Sequence, residues 1–128
     1  MQNIHLSATA ATPEVDFRFD SHQLSLKGES YPENAQSFYG PLLDAVAGYL
    51  ATLDHVHIAV DVQLAYFNSS STRLLMSLFE LLNDAAVKGN YVTLNWHYDE
   101  DDDTILEFGQ EIADDYPSLD FHPLALVA

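Results

Sequence analysis

Four hydroxyl side chains stand in a row in this chain, Ser69-Ser70-Ser71-Thr72, directly after Asn68. The apolar stretch Ile58-Ala59-Val60-Asp61-Val62 leads into them, and Leu74-Leu75-Met76-Ser77-Leu78-Phe79 leads away. The first pattern predicts a strand and the second a helix, so the hydroxyls fall at a helix start. There the first backbone N–H groups point outward without partners. The helix dipole and those donors both favour negative charge. No general base, nucleophile partner or metal ligand accompanies the cluster in sequence. The chemistry that fits is a phosphate put on and taken off, in a protein that acts by binding. Capping is the plainer reading, since Ser, Thr and Asn are usual caps, but one cap needs only one hydroxyl.

The other polar groups carry less chemistry. Asp99-Glu100-Asp101-Asp102-Asp103 invites a calcium loop, yet such a loop needs Gly sixth and Glu twelfth. Counted from Asp99, those positions hold Thr104 and Gln110. The run reads better as a solvated loop in which Asp103 or Thr104 caps the next helix. His55 and His57 lie two apart on a strand, a relation a metal site could use, but no third ligand is fixed. No metal and no cofactor is called for. His97-Tyr98-Asp99 suggests acid–base work without an identifiable nucleophile. Asn68-Ser69-Ser70 matches a glycosylation acceptor that a cytoplasmic chain never presents to that machinery.

Composition narrows the class. At 128 residues with 48% hydrophobic content, the chain suits one globular domain spanning 1–128, burying roughly two-thirds of its unfolded surface. Twenty Asp and Glu oppose four Lys and Arg, a formal charge of −16. Four scattered cations cannot displace counterions from nucleic acid, and an anionic membrane surface is disfavoured for the same reason. There is no cysteine, which excludes disulfides and thiol catalysis. No basic n-region opens the chain and no apolar run of about 18 residues follows, so a cytoplasmic location is expected.

Residues 1–12 read as a loose lead-in. Val15–Phe19 and Gln23–Gly28 alternate around Asp20-Ser21-His22 as a hairpin. Ser30-Tyr31-Pro32-Glu33 resembles a capping box with Ser30 at the cap, opening a helix that Gly40-Pro41 should kink or divide. A strand over 55–62, a helix from about Ser71 to Lys88 closed by Gly89-Asn90, a strand over 91–96, a helix near 104–115 and a strand near 120–125 follow. Met76 and Val87 fall outside the apolar arc of the long helix and should lie near the surface. The order β-β-α-β-α-β-α-β predicts an α/β fold with a mixed, mostly parallel sheet of about five strands and right-handed crossovers. Loops at the carboxyl ends of parallel strands share an edge. Gly28–Glu33, Asn68–Thr72 and Asp99–Asp103 are therefore expected together.

Strand, hydroxyl-bearing turn, helix and second parallel strand resemble the STAS-type anti-sigma-factor antagonists. A closer likeness, from Thr12 onward, is to the SiaC family of regulatory phosphoproteins. It is carried by Leu24–Asn34 (LSLKGESYPEN), Phe38–Leu42 (FYGPL), Tyr66–Ser71 (YFNSSS) and Trp96–Asp99 (WHYD). The resemblance implies a STAS-like domain and a phosphoprotein switch served by a Ser/Thr kinase and a PP2C-like phosphatase. In characterised relatives the unphosphorylated form binds and activates a diguanylate cyclase, controlling cyclic-di-GMP and biofilm formation. The family's acceptor directly follows the Asn, which places it on Ser69, with Ser70 the alternative. A phosphate there would meet the free N–H groups of the Ser70–Arg73 turn, flanked by Asn68, Ser71 and Thr72, with Arg73 the only cation nearby in sequence. A partner reading the turn would meet Tyr31, Glu33 and Asn34, together with Asp99 and Asp101. Two alternatives remain: the same kind of switch acting on another effector, and a small hydrolase using the edge carboxylates. A hydrolase needs carboxylates in unequal environments.

Overall fold

Apolar–polar alternation with a period of two builds most of the sheet. The computed structural model describes residues 2–126. In chain order the elements are β1 (Ile4–Leu6), β2 (Glu14–Arg18), a 3-10 turn (Phe19–Ser21), β3 (Gln23–Ser30), α1 (Ala35–Ala51), β4 (His57–Phe67), α2 (Ser69–Val87), β5 (Tyr91–Asp99), α3 (Asp103–Asp115) and β6 (Asp120–Leu126). The six strands lie side by side in their sequence order. β1, β2 and β3 pair antiparallel, whereas β3 to β6 run parallel. The fold is thus α/β with a mixed sheet, one strand richer than the sequence suggests. The additional strand is β1, inside the expected lead-in; three residues are too short to show a period.

This strand order leaves one face of the sheet bare. Right-handed crossovers that always step in the same direction place every helix on the same side. Burial follows that rule: Ile58, Val60, Val62 and Leu64 of β4 are buried, while His57 and Ala65 on the opposite face are exposed. The buried face joins Phe17, Leu24, Leu26, Leu94 and Trp96 to Tyr39, Val46, Leu75, Phe79, Leu82 and Ile112 of the helices in one core. Burying each large apolar side chain stabilises the fold by roughly 1.5–3 kcal/mol. Trp96 is fixed in it by an Nε1–H bond of 3.0 Å to the Ile105 carbonyl. On α2, Met76 is half-buried and Val87 is 68% exposed, as their place outside the stripe requires. Among the described residues no helix is long and apolar enough to cross a membrane.

Two local expectations need correction. Ser30 caps no helix: it is the last residue of β3, paired with Phe67 of β4, and its side chain is fully buried. Asn34 caps α1 instead, its side chain accepting from the Ser37 N–H at 3.0 Å. Nor does Pro41 divide α1, which is assigned as one helix from Ala35 to Ala51. Pro41 lacks the N–H that would reach the Ser37 carbonyl. Both residues are exposed, on the solvent side of the helix.

Candidate functional site

The hydroxyl cluster opens α2 with Asn68, not a serine, as the N-cap. Asn68 is extended (φ −88°, ψ 172°), and its side-chain oxygen accepts from the Ser71 N–H at 2.9 Å. Its carbonyl accepts from the Thr72 N–H at 3.0 Å and the Thr72 hydroxyl at 3.1 Å. Ser69 and Ser70 are therefore the first two helical residues, and both are exposed. Ser71 is fully buried and Thr72 is half-buried with its hydroxyl engaged. Of the four hydroxyls, only those of Ser69 and Ser70 are open to another protein. The N–H groups of Ser71 and Thr72 are already committed. Among the described residues, those of Ser69 and Ser70 have no acceptor and remain for an anion.

A buried chain of hydroxyls holds this turn from beneath. Ser71 donates to the Ser30 carbonyl at 3.1 Å, and Ser30 donates to the Ser71 oxygen at 2.8 Å. Both protons being assigned, the Tyr39 hydroxyl must donate to Ser30, at 2.5 Å. The same Ser30 carbonyl accepts from the Asn68 N–H at 2.9 Å. Burial pushes the Tyr39 pKa up, so this hydroxyl stays protonated. Every buried side-chain N or O among the described residues has a partner. Sequence reasoning missed this chain because Ser30 and Ser71 look like surface caps until the strand pairing is known.

The turn opens into a groove of about 410 Å³ lined by Glu33, Asn34, Ala35, Gln36, Ser69, Ser70, Arg73 and Leu74. The N-termini of α1 and α2 thus face one space. The structure brings Glu33, Asn34 and Arg73 to the Ser69 turn. Arg73 makes no ion pair among the described residues, so it is available to a phosphate in that groove. Tyr31 is 39% exposed and packs edge-on against Tyr66 at 5.8 Å.

Asp99 and Asp101 line a different groove, of about 730 Å³, together with Lys27, Gln63, His97 and Asp103. The three carboxyl-end loops do share an end of the sheet, but they serve two separate depressions. The loop organises itself: Asp99 accepts from the Asp101 N–H at 2.9 Å, and Asp102 caps α3 through the Ile105 N–H at 3.1 Å. The cap is therefore Asp102, not Asp103 or Thr104. His97 Nε2 lies 3.1 Å from Asp61, which also accepts from Asn95. His55 precedes β4 in a left-handed conformation (φ 56°) beside Asp54, so it shares no strand face with His57. Among the described residues no group of three or more His, Asp or Glu is placed to hold a metal.

A sequence model of the SiaC family of regulatory phosphoproteins matches residues 6–126. The chain belongs to the SiaC family. A protein of Pseudomonas aeruginosa strain UCBPP-PA14, described as uncharacterized, is 33% identical over 115 residues, 90% of each chain. Apo-SiaC of P. aeruginosa superposes with a TM-score of 0.89 at 33% identity, over 98% of this chain and 100% of that one. The structure of the P. aeruginosa diguanylate cyclase SiaD in complex with its activator SiaC gives a TM-score of 0.88 at 32% identity, covering 96% and 99%. The six-stranded sheet with three helices is therefore the architecture of SiaC structures, and a relative of this SiaC-family chain acts on a signalling enzyme by binding it.

Proposed function

We propose that this chain is a non-enzymatic regulatory phosphoprotein of the cytoplasm. The phosphorylation state of Ser69 decides whether it holds a diguanylate cyclase, and through cyclic-di-GMP whether a biofilm forms. A Ser/Thr kinase adds the phosphate and a PP2C-like phosphatase removes it. The observation that carries the reading is Ser69 itself: an exposed serine in the first position of a capped helix, with two free N–H groups and Arg73 around it. Ser70, equally exposed, is the alternative acceptor.

The energetics give the direction of the switch. A phosphate carries about −1.5 to −2 charges and gains at most about 2 kcal/mol from a helix N-terminus. An effector docked over the turn must strip water from it, and an uncompensated buried charge costs several kcal/mol. One arginine does not neutralise that charge, and Glu33 in the same groove opposes it. Desolvation wins, so phosphorylation releases the effector while the fold stays as it is. Kinase, phosphatase and effector all need the same turn, so their binding is mutually exclusive.

The test has two parts. Phosphosite mapping on protein taken from its native host should find phosphate on Ser69 in some growth condition. Titration of the host's diguanylate cyclase should then show tight binding by unmodified protein and weak binding by stoichiometrically phosphorylated protein. Equal affinities would sink the release mechanism, and phosphate found only outside Ser69 and Ser70 would sink the site.

A further inference from the structure

The β3–β4 ladder slips by one residue near its end. Gly28 pairs with Leu64, but Glu29 pairs with Tyr66, leaving Ala65 as an extra residue on β4. Such a bulge reverses which face the following side chains take. Unbroken alternation after Leu64 would turn Tyr66 into the core and Phe67 outward. Instead Phe67 packs on Phe108 of α3 at 4.7 Å between ring centroids, and Tyr66 is 51% exposed. The displaced ring, three residues before Ser69 on β4, meets edge-on the ring of Tyr31, which directly follows the last residue of the neighbouring β3.

The surroundings of this pair are predominantly anionic, although Lys27 lies two residues before Glu29 on the same strand. Glu29 lies across the ladder from Tyr66, and Glu33 follows Tyr31 by two residues. Ala65, beside Tyr66, lines the groove that holds Asp99, Asp101 and Asp103. We propose that Tyr31, Tyr66 and Glu29 form a docking platform for an arginine-bearing segment of a protein partner. A guanidinium stacks on an aromatic face and forks onto a carboxylate at once, which an ammonium does not. An apolar segment would leave Glu29 without a counter-charge, and a second copy of this chain would bring −16 charges against −16. The platform deepens the proposed switch by stating what the partner presents beside Ser69, and it rests on that reading for the partner's identity alone.

The experiment needs neither phosphate nor cyclase, so its failure leaves the switch reading standing. Amide chemical shifts of the unmodified full chain are followed during titration with deca-arginine, deca-lysine and a neutral leucine-rich decapeptide. Deca-arginine should perturb Glu29, Tyr31 and Tyr66 and bind about two- to fivefold more tightly than deca-lysine. Tyr66→Leu should erase that preference and Tyr66→Phe should keep it, while deca-lysine affinity stays the same in both. Both variants change an exposed side chain, and their unperturbed spectra report the intact fold. Equal affinity for the two basic peptides, preference for the leucine-rich peptide, or an arginine preference that survives Tyr66→Leu would each overturn the platform.

Discussion

Ser30 closes β3 and Ser71 lies in the first turn of α2, 41 residues later, yet their hydroxyls meet at 2.8 Å inside the protein. Each serine donates to the other residue, one to a hydroxyl and one to a carbonyl, so the pair is a closed clasp. Tyr39 of α1 supplies the remaining proton. The start of α2, where Ser69 is exposed, is thereby tied to β3 and α1.

Breaking the clasp should cost stability in a ranked way. Ser71→Ala leaves the Ser30 hydroxyl with a proton and no acceptor in a buried site, at about 1–3 kcal/mol. Tyr39→Phe removes one donor and leaves Ser30 still bonded to Ser71, at about 1 kcal/mol. Urea unfolding should show both midpoints lowered at unchanged slope, Ser71→Ala the more so.

The two asparagine caps should prove equivalent in stability and different in function. Asn34→Ala and Asn68→Ala each lose one side-chain bond to a helical N–H, worth about 1 kcal/mol. Only Asn68→Ala frees the Ser71 N–H beside Ser69, the proposed acceptor. Phosphorylation kinetics with the proposed Ser/Thr kinase should change more for Asn68→Ala than for Asn34→Ala at equal loss of thermal stability.

Gly109 of α3 lies flat against Trp96, and a Cβ there would fall 2.6 Å from Cδ1 and Nε1 of the indole. Alanine favours a helix by about 1 kcal/mol, but forcing the ring aside in a packed core costs about 1–3 kcal/mol or more and endangers its bond to Ile105. The clash should win, and Gly109→Ala should melt lower. At Gly40 the obstacle is only the tip of Gln36, at 2.9 Å, although Pro41 disfavours a Cβ on the residue before it. Gly40→Ala should stay within about 1 kcal/mol of the parent. Calorimetry of the two variants side by side checks the contrast.

Stability should fall in strong alkali. Burial pushes the Tyr49 hydroxyl up to about 12, and Tyr39 is raised for the same first reason. An unfolded tyrosine titrates near about 10. The folded state holds these protons more tightly, so the stabilisation is fully present below about pH 10 and is lost as pH rises through the folded values. Urea midpoints should decline across that window, and Tyr49→Phe should flatten the decline.

How much of this was legible in the sequence depends on whether one segment or two decided the outcome. The stripe Leu74, Leu75, Leu78, Phe79, Leu82 and the alternation of β3 announced a buried helix and a half-buried strand, because burial repeats with each element's own period. Asn68 and its serines announced an exposed helix start for the same local reason. Ser30 misled, since S-x-x-E looks alike in a cap and at a strand end, and only pairing with Phe67 distinguishes them. The bulge at Ala65 is a mismatch between two strands and has no signature in either. Which depression Asp99 and Asp101 join depends on how the loop folds over the sheet end, which no spacing within 99–103 encodes.

Each strand of this sheet lies beside the strand made just before it. A chain emerging from the ribosome therefore never waits for a distant segment: the β2–β3 hairpin forms a template, and each later helix–strand unit adds to the growing edge. Closing such short-range loops costs little entropy, which favours rapid folding and a short exposure of unpaired strand edges. The Ser30–Ser71 clasp can close as soon as α2 has been made, before β5 and β6 exist. The Ser69 turn can thus be complete in the nascent protein before the last third of the sheet has been laid down.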